Sequence, residues 1–98
     1  MIPGLPISAS VAVWRILNSE PRILSSTVYG SRAKGTFREG SDVDICLDAP
    51  ELDFTSLTIL EDRIDDLMLP WKFDLSVRHK ITDPALLEHI DRVGMGLA

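Results

Sequence analysis

The chain has 98 residues, 45% of them hydrophobic and 26% charged, which fits one folding domain over residues 1–98 and excludes disordered, collagen-like and disulfide-scaffold classes. Fifteen acidic against ten basic residues give a formal charge of −5, which opposes a sequence-independent grip on DNA or on an anionic membrane surface. No second catalytic domain is expected in this length.

The first eight residues read as a mobile lead-in. Helical spacing follows at Val11, Trp14 and Leu17, with Ser8 or Ser10 as N-cap and Pro21 as the stop. From Arg22 to Tyr29 the run is β-rich and ends at Gly30. Ser31 to Gly40 is polar and carries Gly35 and Gly40, which predicts a short helical turn and a loop. A second strand covers Ser41 to Leu47, and Pro50 breaks it. A longer amphipathic helix then sets Leu57, Leu60, Ile64, Leu67 and Met68 on its apolar face, with Asp53, Thr55 or Ser56 as cap and Pro70 as its limit. Trp71 to Val77 is the third strand. Asp83-Pro84 opens the last helix as cap and first-turn proline, and the helix runs through Leu86, Leu87, Ile90 and Val93 to Gly94. The order is α-β-β-α-β-α, without repeats or linkers.

The lone Cys46 has no disulfide partner and no companions for a structural zinc site, so a reducing, cytoplasmic setting is expected. Met1 to Trp14 is free of charged side chains, but it contains Pro3, Gly4 and Pro6 and falls short of the roughly 20 apolar residues of a membrane span. Neither export nor membrane insertion is expected.

Strand alternation locates the chemistry. Asp42 and Asp44 share one face of the second strand, opposite Val43, Ile45 and Leu47; in the third, Lys72, Asp74, Ser76 and Arg78 lie opposite Trp71, Phe73, Leu75 and Val77. If both dry faces cover one core, Asp42, Asp44 and Asp74 converge on the other side. Clustered carboxylates raise one another's pKa values unless a cation neutralises them, and hard oxygen donors at i and i+2 suit a pair of Mg²⁺ ions about 3.5–4 Å apart. A lone Asp-x-Asp is commonplace at strand starts; the third aspartate shifts the balance. Upstream, Gly30-Ser31 stands where a strand gives way to a helical turn, with backbone N–H groups and a hydroxyl open to phosphate oxygens. Arg22, Arg32, Lys34 and Arg38 follow one another with no acidic residue between them, concentrating positive charge beside that loop.

The stretch Val28-Tyr29-Gly30-Ser31-Arg32-Ala33-Lys34-Gly35 to Ser41-Asp42-Val43-Asp44-Ile45 resembles the minimal nucleotidyltransferases of the DNA polymerase beta-like superfamily, the antitoxin half of MNT/HEPN pairs. Their pattern is Gly-Ser, ten residues, then Asp-x-Asp, and here the ten run from Arg32 to Ser41. Phe73-Asp74-Leu75 is similar to the family's third-aspartate strand, and Ile90 to Gly94 to its closing Ile-x-x-x-Gly helix. Departures are Gly40, Cys46, and Ala98 where relatives often carry an aromatic.

The resemblance implies an α+β (α/β) nucleotidyltransferase fold, a small mixed β-sheet with helices packed on one face. It also implies that Gly30 and Ser31 hold the β- and γ-phosphates of ATP or another NTP. Asp42 and Asp44 would bind both Mg²⁺ ions; Asp74 would bind the catalytic one and help activate the acceptor hydroxyl. Arg32 and Lys34 look like supporting phosphate or partner contacts. The acceptor implied is a tyrosine of a HEPN toxin, bound as a hetero-oligomer and silenced by AMPylation. Two other functions suit the motif: a silent module that neutralises its toxin by covering it, and the nucleotide-binding subunit of a two-chain enzyme acting on a small alcohol. His79 and His89 read as surface or satisfied histidines, Cys46 as a small packing residue, and Trp14 and Trp71 as core or interface anchors.

Overall fold

The structure, a computed structural model, describes residues 1–97; Ala98, the last of the departures above, lies outside the described residues. The first helix, α1 (Ile7–Asn18), buries Ala9, Val13, Ile16 and Leu17, an i, i+4, i+7, i+8 stripe that turns one face to the core. Pro6 precedes it, and neither serine caps it. Ser10 is instead fully buried, and its hydroxyl accepts the Ile2 N–H at 3.1 Å. That bond draws Ile2, 2% exposed, into the core, and Leu5 packs against it, so the expected lead-in is anchored at these two residues while Met1, Gly4 and Pro6 remain exposed.

Strand β1 (Ser25–Tyr29) runs into the short helix α2 (Gly30–Lys34), and β2 (Val43–Asp48) returns antiparallel to β1 with Val28 opposite Ile45 and Tyr29 opposite Asp44. Helix α3 (Phe54–Asp65) begins on Asp53, whose carboxylate accepts the Ser56 N–H at 2.7 Å. It carries the chain over to β3 (Phe73–Val77), which lies parallel to β2, and a parallel pair needs such a crossover. The helix ends short of Pro70. Leu67 still packs on the core, but Met68, at φ 55°, has left the helical axis and is 87% exposed, contrary to its expected place on the apolar face.

After a 3₁₀ turn (Arg78–Lys80), helix α4 (Pro84–Val93) opens as the sequence predicts, Asp83 accepting the Ala85 N–H at 3.0 Å. A two-residue strand, β4 (Met95–Gly96), then pairs antiparallel with β1. The expected order contains no such strand, because only the edge of β1 makes these residues one. Gly94 permits the reversal: a Cβ there would collide with the Ile90 carbonyl and the Thr27 methyl.

The sheet order is β3-β2-β1-β4, mixed as expected. Val28, Val43, Ile45, Leu47, Leu75 and Val77 form one core with α1 and α3, and Trp14 and Trp71 pack against it. The helices do not all lie on that face. Helix α4 crosses the other side, where Ile90 closes over Tyr29 and Cys46 with Ile81 and Leu86 beside them. Its single apolar stripe needs a second surface, and the small or aromatic residues of the carboxylate face supply it. Among the described residues no helix is long and apolar enough to cross a membrane.

Candidate active site

The register of β2 against β3 sets Asp44 directly beside Asp74. In-register residues of adjacent strands point to the same face, so the two carboxylates share the side away from the main core. Asp42 lies just before β2 and is exposed, as is Asp74 on the edge strand; Asp44 is half-buried. Burial pushes the Asp44 carboxyl above the usual aspartate range, and the charges of Asp74 and then Asp42 push it further. The like-charge crowding expected from alternation is therefore present around Asp44.

Gly30, the first residue of α2, meets this group just beyond the end of β1. Its φ is +74°, and a Cβ would run into the Asp44 carboxylate. Only glycine brings the Gly30-Ser31 backbone this close to an aspartate. Ser31 and Lys34 belong to α2, Ser31 half-buried and Lys34 exposed at the helix end.

Two of the remaining bases, Arg32 and Arg22, are engaged elsewhere. Arg32, expected as a phosphate or partner contact, is 1% exposed. Its Nε and Nη2 donate to the Ser41 carbonyl at 3.2 and 2.8 Å, Nη1 donates to the Pro3 carbonyl at 2.8 Å, and the guanidinium lies 4.9 Å from the Phe37 ring centre. Arginine stacked on an aromatic and forked onto carbonyls holds backbone in place. Here it ties α2 to the residue immediately before Asp42 and to the first residues of the chain. Arg22 is at the far end of β1, donating to Glu20, Asp53 and Ser56. Alternation does not reveal either fate, because both depend on which carbonyls and carboxylates the fold brings up.

His89 is a satisfied histidine, as its sequence setting suggests, but its partner is the backbone of the Gly30-Ser31 loop: Nε2 accepts the Gly30 N–H at 3.1 Å. Its ring also meets Tyr29 edge-on, centroids 6.2 Å apart. The Tyr29 hydroxyl shares a 3.2 Å hydrogen bond with Ser76. Burial raises the phenol's pKa, the Ser76 bond works against that, and the Asp44 and Asp74 charges add to the rise. The signal in the sequence was Ile90: once that residue docks on the sheet, its neighbour His89 is carried to the mouth of the loop. Cys46 is 3% exposed and packs as expected.

The donor set suits Mg²⁺ in chemical type, since aspartate oxygens are hard ligands and a divalent cation would relieve the crowding at Asp44. Among the described residues no three acidic, histidine or cysteine side chains are drawn together closely enough to hold a metal by themselves. Magnesium commonly takes one or two carboxylates and completes its shell with water and substrate phosphates, so an open group of this kind fits.

The nucleotidyltransferase domain model matches residues 12–92, spanning Gly30-Ser31 and all three aspartates. This chain belongs to the nucleotidyltransferase domain family. No curated protein sequence matches it. Among solved structures, a chain of a toxin–antitoxin complex with AMP-PNP is similar at TM-score 0.74 and 21% identity, covering 91% of this chain and 72% of that one. A chain from the complex of tri-AMPylated Shewanella oneidensis HEPN toxin with MNT antitoxin gives 0.69 and 17%, covering 94% and 71%. A nucleotidyltransferase-type structure from Sulfolobus solfataricus gives 0.56 and 16%, covering 90% and 74%. At these identities the likeness is one of fold, and the nucleotidyltransferase domain here has the same α+β architecture.

Proposed function

We propose that this nucleotidyltransferase domain, residues 1–98, transfers a nucleoside monophosphate, AMP from ATP foremost, to a tyrosine hydroxyl of a HEPN-family toxin and so acts as its antitoxin. The observation that carries the reading is the meeting of Asp44, Asp74 and the Gly30 backbone on one face. The family match supports the reaction class, and AMP-PNP in one neighbouring complex and AMPylated toxin in another support the nucleotide and the acceptor.

In this reading Gly30 and Ser31 hold the β- and γ-phosphates, and Lys34 adds a supporting cation. Asp42, Asp44 and Asp74 would hold two Mg²⁺ ions, which supply charge neutralisation on the triphosphate when bound. The acceptor oxygen bonds to the α-phosphorus as the bond to the bridging oxygen breaks. Pyrophosphate leaves with that electron pair, and the acceptor proton passes to Asp74. The chain's contribution is positioning and electrostatics. Asp74 is exposed on an edge strand, where a protein acceptor can reach it.

The test is incubation of the chain and a HEPN protein encoded beside it with Mg²⁺ and α-labelled NTPs. Label is expected on the toxin from ATP. Asp74→Ala should spare nucleotide binding while kcat collapses, since an interaction made chiefly in the transition state lowers kcat and kcat/KM together. A stable complex without transfer from any NTP would overturn the catalytic assignment; failure to form a complex would overturn the antitoxin assignment.

A further inference from the structure

The Gly30 amide has an internal partner. His89, from α4, places Nε2 at 3.1 Å from that N–H, with the ring fixed edge-on against Tyr29. For Nε2 to accept, the neutral imidazole must carry its proton on Nδ1. The bond spans the chain from residue 30 to residue 89 and joins the two elements that flank the carboxylate face, α2 and α4.

We propose that His89 is a latch on the phosphate loop: in the nucleotide-free protein its Nε2 occupies the Gly30 amide, and an incoming triphosphate must displace the imidazole before that amide can bind phosphate. The inference rests on the assignment of Gly30 to phosphate, and adds regulation of that site by a residue outside the family motif. His89 is a positioning residue in this scheme. It holds the loop in shape while empty and sets a threshold for nucleotide entry. The Asp44 carboxylate pressed against Gly30 gives the latch a purpose, because a loop N–H left unpaired beside an aspartate would be free to turn toward it.

The net worth of one such hydrogen bond over its water-bonded alternative corresponds to about a three- to tenfold change in an equilibrium constant. Mg-ATP affinity should therefore tighten by about that factor in His89→Ala, measured by calorimetry, and return toward the wild-type value in His89→Gln, whose side-chain oxygen restores an acceptor. In the wild type, which needs no variant to fold, saturating Mg-ATP should move the His89 Nε2 resonance away from its hydrogen-bonded position in ¹⁵N NMR. Unchanged or weaker binding in His89→Ala, or an unmoved ring resonance in wild-type protein that binds Mg-ATP, overturns the latch alone. Absence of nucleotide binding in wild type and both variants overturns the assignment of Gly30 to phosphate, and the latch with it.

Discussion

Replacing Arg32 should damage the fold more than replacing any other base, and the size of the loss can be worked from its partners. Three N–H groups reach two carbonyls, Ser41 and Pro3, and the guanidinium rests on Phe37. In Arg32→Ala both carbonyls lose their partner in a site that is 1% exposed, at about 1–3 kcal/mol each. Water entering the vacated space recovers part of that, so we expect a loss of about 3 kcal/mol. A domain of this size has a total stability of about 5–15 kcal/mol, and each kcal/mol shifts Tm by about 4–8 °C, so Tm should fall by about 12–24 °C. Urea denaturation followed by circular dichroism measures it. Arg32→Lys should recover little, because an ammonium cannot fork across two carbonyls while stacking on an aromatic ring. A loss below about 1 kcal/mol in Arg32→Ala, or full rescue by lysine, would refute the view of Arg32 as a backbone clamp and reopen its availability to phosphate.

Asp44→Asn should abolish transfer yet leave the metal-free protein as stable or more stable at pH 7. The folded carboxyl is raised above its unfolded value, so its ionised form weighs against the fold above the ordinary aspartate range, and chemical denaturation should show the variant's advantage fading as the pH falls and Asp44 itself becomes neutral. Gly30→Ala should cost more than Gly35→Ala by denaturation midpoint. Both have positive φ, an expense of about 1–2 kcal/mol for a Cβ, but only at Gly30 does the Cβ meet a side chain, the Asp44 carboxylate. Glu20, bound by Arg22 through both side chain and backbone, is lowered from 4.5 to about 2. Its stabilising contribution is present above about pH 4.5 and lost as pH falls through 2, so Glu20→Gln should flatten that acid limb, and a ¹³C carboxyl titration of the wild type should show a midpoint near 2.

Local pattern alone determined much of this molecule. Alternation in Ser41 to Leu47 and Trp71 to Val77 placed Asp44 and Asp74 on a common face, because the side-chain period of a strand is two and both strands must turn their apolar residues to one core; the parallel register bears this out. The Asp83-Pro84 cap, and Asp53 as one of three candidates for the helix before it, were legible for a similar reason, since a helix start is specified by residues within one turn of it. What depended on distant partners was not legible. The charges of Arg22 and Arg32 look alike in sequence, yet Arg22 reaches Asp53 as well as its near neighbour Glu20, while Arg32 holds the Ser41 and Pro3 carbonyls, and chain reversal is what brings Asp53, Ser41 and Pro3 within reach. Ile2 is core because Ser10 holds its N–H, and Met95–Gly96 is a strand because β1 offers an open edge. His89 reaches Gly30 only because Ile90 docks on the face that carries the aspartates. A hydrogen bond between residues 59 positions apart has no local signature, since neither residue type nor spacing encodes which of two remote polar groups will meet once the sheet and its helices have packed.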